Sequence, residues 1–190
     1  MRRRPKAKQR GTTIIEMAIV LGLFVMIITV LLVLTNKHAT IYRYENALIA
    51  TNGSARTVLN ELELNTLQAH RVLASQVING VTYSSGANVL VLQLPTTDSS
   101  GNFVANSWDY LAIYTSGAQI WEQTQAATGS HRYTGSRLLS NSLKTLSFSY
   151  DNVSFPSVKK VSVDLTTEAI YQTTKVVDTH LKQTLRLKNY

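Results

Sequence analysis

Two residues of this chain have types and spacing that point to chemistry at a membrane boundary. Gly11 closes a run holding Arg2, Arg3, Arg4, Lys6, Lys8 and Arg10, and Glu16 follows at the mouth of a stretch with no other charge as far as Asn36. A carboxylate inside an apolar run costs up to about 2.5–3.5 kcal/mol at mid-membrane and less near the interface, so Glu16 calls for a partner. Other chemistry finds little support. His38, His70, His131 and His180 have no second histidine at ligand spacing, and there is no cysteine, so neither a zinc site nor a thiol nucleophile is expected. Asp98, Asp109 and Asp151 fall in or beside loop-like stretches without the alternating oxygen ligands of a calcium loop. No serine sits in a Gly-x-Ser-x-Gly elbow, and no glycine loop would cradle a phosphate. No cofactor is expected.

The formal charge of +8 invites a nucleic-acid reading, but the six cations before Gly11 leave only +2 for the rest of the chain. Positive flanks of an apolar helix stay in the cytoplasm, which explains the run better than a nucleic-acid arm does. Met17 to Asn36 carries no charge and no proline. About 20 residues at about 1.5 Å each match a hydrocarbon core of about 30 Å, and a bilayer forces such a segment to be helical. A secretory signal fits less well, because its apolar region is about 7–15 residues long and ends at a small-residue site, whereas Lys37-His38-Ala39 is a weak one. A plain signal anchor explains length and orientation but leaves Glu16 without a purpose beyond reaching the head groups.

Gly11 followed by Thr12-Thr13-Ile14-Ile15-Glu16 and an apolar helix resembles the class III signal of type IV pilins and of the pseudopilins of type II secretion. The resemblance implies that prepilin peptidase cuts between Gly11 and Thr12 and methylates the new amino terminus at Thr12. Glu16 then matches the glutamate at the fifth mature position. Thr12 departs from the Phe or Met more common there. The physical logic agrees: a new ammonium at Thr12 and Glu16 of an adjacent subunit would neutralise each other in an apolar bundle. Such pairs are better attested for fixing register than for adding stability.

Beyond Asn36 the helix is expected to continue amphipathically, since Ile41, Leu48, Val58, Leu59, Leu62, Leu67, Leu73 and Val77 recur at near-helical spacing. Asn52-Gly53-Ser54 predicts a kink, with Ser54 capping a second piece. After Asn79-Gly80 the period changes to that of strands: 88–94, 108–114, 119–123, 145–150, 158–165 and 180–187. Ser116-Gly117 predicts a hairpin, residues 96–102 a turn, and residues 124–135 an exposed loop. The fold class is therefore α+β, a long helix packed on an antiparallel sheet. The organisation reads as a basic leader (1–11), a transmembrane helix (12–36), its helical continuation (37–79) and a β-rich head (80–190).

The head also resembles minor pilins and pseudopilins of the J or W type. The resemblance rests on Asp109-Tyr110 in an aromatic strand, a leucine-containing connection from Leu138 to Leu146, Phe148-Ser149-Tyr150-Asp151 and Leu185-Arg186-Leu187-Lys188-Asn189. The lack of a helix-bending proline and of a disulfide loop favours a minor subunit. The implied partners are prepilin peptidase, other pilin or pseudopilin subunits, an inner-membrane assembly platform with its ATPases, and the membrane itself. The implied location is a single-pass inner membrane protein, leader in the cytoplasm and head outside, and then a pilus or pseudopilus. Such a chain is not an enzyme; the rival reading is a signal-anchored extracytoplasmic enzyme or receptor. Lys159-Lys160 with Arg132, Arg137, Lys144 and Tyr133 would suggest DNA if they formed one patch on an uptake pilus, but scattered solvated charge is the expectation.

Overall fold

A computed structural model describes residues 13–188. Backbone contacts divide the chain into Met1–Arg43 and Tyr44–Tyr190. The first unit holds the start of helix α1, which runs Ile14–Gln68. Its side chains from Ile14 to Leu34 are exposed on every side, Phe24 at 59% and Met26 at 67%, so this is no core helix of its own unit. A helix apolar all round belongs in a bilayer or between other apolar elements. Among the described residues, α1 is the one helix long and apolar enough to cross a membrane. Thr29 and Thr35 turn their hydroxyls back onto the carbonyls of Val25 and Leu31, at 2.9 and 2.8 Å. That bond satisfies a polar group without exposing it.

In the second unit α1 buries a stripe of Ala47, Thr51, Ala55, Val58, Leu59, Leu62 and Thr66. The strands are β1 (Arg71–Val72), β2 (Ser75–Ile78), β3 (Val81–Ser84), β4 (Val89–Thr97), β5 (Phe103–Ser116), β6 (Gln119–Gln125), β7 (Gly135–Ser140), β8 (Leu143–Tyr150), β9 (Lys160–Gln172) and β10 (Lys175–Arg186). They form an antiparallel sheet in the order β1-β4-β5-β6-β7, a second in the order β10-β9-β8, and the hairpin β2-β3. The fold is α+β, a long amino-terminal helix packed on antiparallel sheets. Alternation along β4 and β5 serves two cores. Leu90, Leu92, Leu111 and Ile113 join Val58 and Leu62 of α1 and Val163 and Leu165 of β9. Val91 and Ala112 instead meet Ile78 of the hairpin, with Tyr83 and Tyr110 packed around them.

Two expectations about α1 need correction. The helix ends at Gln68, not Asn79, and Leu73 and Val77 do not continue its apolar face. His70 N–H donates to Gln93 O at 2.8 Å and Leu73 N–H to Val91 O at 3.0 Å, so the chain turns into β4 pairing. The β-branched Val72, Val77, Ile78 and Val81 suit a pleated surface, and Leu73 and Val77 fell at near-helical spacing only by chance. Asn79-Gly80, with φ of 49° and 82°, is the two-residue turn joining Ile78 to Val81. Nor does α1 break at Asn52-Gly53-Ser54. Thr51 and Ala55 are fully buried on either side, and the Ser54 hydroxyl caps nothing; it bonds Ser140 at 2.7 Å. The expected hairpin is present between β5 and β6, while β7 lies partly within the expected connection around Leu138.

Candidate functional site

Glu16 is exposed in the first turn of α1 and is not idle. Thr13 N–H donates to Glu16 Oε2 at 2.8 Å, and Glu16 N–H donates to Thr13 Oγ1 at 3.3 Å. This is a reciprocal capping box, in which two otherwise orphaned amide donors find partners. A carboxylate in the first turn is favoured further by the positive end of the helix dipole. The carboxylate thus has a partner within its own chain. The signal for it, Thr-x-x-Glu ahead of an apolar run, was present in the sequence and was not read there. Gly11 and Thr12, the expected cleavage and methylation positions, lie outside the described residues.

In the head, sequence reasoning missed the role of Asp109. Its side chain is fully buried on β5 and takes four donors. Oδ1 accepts Thr96 Oγ1 at 3.1 Å and Ala127 N–H at 2.8 Å; Oδ2 accepts Ser130 Oγ at 2.8 Å and Arg132 Nη1 at 2.6 Å. Arg132 also reaches Pro95 O at 2.7 Å and, from the end of α1, Gln68 Oε1 at 2.8 Å. The segment between β6 and β7 is therefore clamped, although its composition is that of a free loop. No local motif announces this, because the partners come from three separate stretches, Gln68, Pro95-Thr96 and Ala127 to Arg132.

Arg132, Tyr133 and Arg137 line one cleft, but Arg132, Arg137 and Lys144 are each matched by carboxylates. Arg132 is paired with Asp109, Arg137 bridges Glu61 and Glu122 at 2.8 and 3.1 Å, and Lys144 bridges Asp178 and Glu168 at 2.5 and 3.7 Å. Hydrogen bonding to Glu61 raises Arg137 above the ordinary guanidinium value, and the Asp178 bond raises Lys144. Lys159 and Lys160 are exposed beside Asp151. Burial works against ionisation of Asp151, but the backbone N–H groups of Lys159 and Lys160 outweigh it and hold the carboxyl below its usual value.

The histidines remain apart. His180 bonds Asp164 at 2.8 Å, His131 bonds Thr97 Oγ1 at 2.9 Å, and His70 packs on Trp108 with ring centres 4.8 Å apart. Among the described residues no group of three or more His, Asp or Glu could hold a metal ion. Asp98 is held below its ordinary value by the Asn102 N–H above all, and its ligands are its own loop, which it orders as a turn. No family model, no curated protein and no solved structure matches this chain.

Proposed function

We propose that the chain is a minor pilin or pseudopilin, trimmed by prepilin peptidase between Gly11 and Thr12, methylated at Thr12, and assembled through its amino-terminal helix into a type IV pilus or a secretion pseudopilus. The observation that carries this reading is the order of features: basic run, glycine, glutamate, then an apolar helix with no shelter in its own unit, followed by an α+β head. An apolar helix bare on all sides suits storage in a membrane and later burial among identical helices. In that bundle Glu16 of one subunit faces the Thr12 ammonium of another. The chain has no catalytic role in this reading, and the force comes from separate assembly ATPases.

The test is the mature amino terminus, read by mass spectrometry from cells that contain the cognate prepilin peptidase. The expected product begins at methylated Thr12, and Gly11→Leu blocks its formation. A chain that keeps the leader in the presence of the peptidase, or a Gly11→Leu variant that is trimmed normally, rejects the reading. The capping box favours one other reading, a plain signal anchor carrying an extracytoplasmic receptor or enzyme domain. There Glu16 only finishes the helix end.

A further inference from the structure

The clamped segment between β6 and β7 forms one side of an open cleft of about 390 Å³ whose wall includes Asn65, Glu122, Thr124, Tyr133, Ser136 and Arg137. We infer that this cleft binds a neutral pyranose sugar, with Tyr133 as the stacking face and Glu122 and Asn65 as acceptors for its hydroxyl groups. The inference is independent of whether the chain is trimmed or assembled.

Charge decides the class of ligand. The two guanidinium groups at the cleft are already matched, Arg132 by buried Asp109 and Arg137 by Glu61 and Glu122. Two guanidinium groups thus face three carboxylates, so an anion would meet one net negative charge, while each carboxylate is already held by a guanidinium and Glu122 offers a hydrogen-bond acceptor rather than a bare charge. An uncharged ligand with many hydroxyls can use that acceptor and avoids the repulsion an anion would meet.

The free valences are mainly those of acceptors. Glu122 Oε2 takes Asn65 Nδ2 at 3.2 Å and Arg137 Nη2 at 3.1 Å. That leaves Glu122 Oε1 and Asn65 Oδ1 without a protein donor among the described residues, although Glu122 is only 8% exposed. Neither oxygen is among the sealed, unpartnered polar atoms, so both remain open to a ligand's hydroxyls. A carboxylate oriented by Arg and Asn is preorganised, which lowers the cost of ordering on binding.

Tyr133 supplies the apolar part. It is 85% exposed, an unusual setting for a tyrosine unless the ring has something to cover. Its ring edge reaches the backbone of Gly135, where an added Cβ would come within 2.5 Å of the ring carbon Cε1 and turn the exposed ring aside. The ring therefore lies against bare backbone at the cleft. The volume is at the lower end of the roughly 300–1,000 Å³ typical of small-ligand sites, enough for one or two sugar rings.

The test is saturation-transfer NMR on the full chain in a detergent without a sugar head group. The probes are methyl α-mannopyranoside, methyl β-galactopyranoside and methyl β-N-acetylglucosaminide, with glucuronate as the charged comparison. The expected result is transfer to at least one of the three neutral glycosides and none to glucuronate. Tyr133→Ala lowers that transfer about tenfold at an unchanged melting temperature, whereas Tyr133→Phe retains it. Transfer to none of the three, transfer to glucuronate at a similar level, or transfer indifferent to Tyr133→Ala overturns the inference.

Discussion

At the scale of single residues, Glu16 combines two jobs that substitution can separate. Glutamine serves as well as glutamate in a capping box, since the side-chain oxygen still accepts the Thr13 N–H, but it carries no charge. Valine loses both properties. If Glu16 acts only as a cap, Glu16→Gln behaves as wild type and Glu16→Val weakens the first turn by about 1 kcal/mol. If its charge pairs with the Thr12 ammonium of a neighbour, both variants insert and are trimmed, and both fail to enter filaments. Counting variant subunits in sheared filaments by immunoblot distinguishes the two. Wild-type incorporation of Glu16→Gln leaves the cap as the residue's whole task.

At the scale of elements, the Asp109 clamp makes one assembly of β4, β5, the segment after β6 and the end of α1. Asp109→Ala leaves the Arg132 guanidinium, the Ala127 N–H and the Thr96 hydroxyl without the fully buried carboxylate that pairs them. Breaking a buried pair from one side costs about 3–5 kcal/mol, and calorimetry should register a loss of that size in the head. A loss under about 1 kcal/mol would mean that water replaces the carboxylate freely. The same scale explains what the sequence could and could not disclose. Runs of β-branched, leucine and aromatic residues in 88–94, 108–114 and 145–150 revealed β4, β5 and β8, the first two buried on both faces and the third on one. The short β2 and β3 lie over the outer face of the larger sheet, and their few apolar residues fitted helical and strand periods alike. Ala55, Val58 and Leu62 were readable as a helical face, but the smooth passage of α1 through Gly53 is imposed by the sheets beneath. Asp109 was visible only as an acid in an aromatic strand, since all of its partners are brought by the fold.

For the whole head, Tyr150 provides a pH signature. Burial between β8 and the start of β4 pushes its phenol up to about 12, opposed by contacts with Ser85 and Gly86. Its hydroxyl lies 3.0 and 3.1 Å from the carbonyls of Gly86 and Val89. In the unfolded chain the phenol ionises near 10, so between about pH 10 and 12 the unfolded state has released a proton that the folded state keeps. Stability from this group is complete below pH 10 and declines as pH rises through that window, by about 2–3 kcal/mol at most. Denaturant melts at pH 9 and 11.5 should show the decline, and Tyr150→Phe should flatten it. An equal decline in both proteins would assign it to other groups.

Arg132 has a further consequence, for survival among proteases. It is the single trypsin target between Gln125 and Gly135, in a segment whose Ser, Thr and Gly content advertises easy cleavage. A protease must draw the arginine side chain into its own pocket with the backbone extended, but here the guanidinium is held by Asp109, Pro95 and Gln68. Trypsin should therefore cut after Arg132 only as fast as the clamp opens, and Asp109→Ala should turn a resistant segment into the first site nicked. A head displayed outside the cell would owe its working lifetime to one carboxylate that never meets solvent.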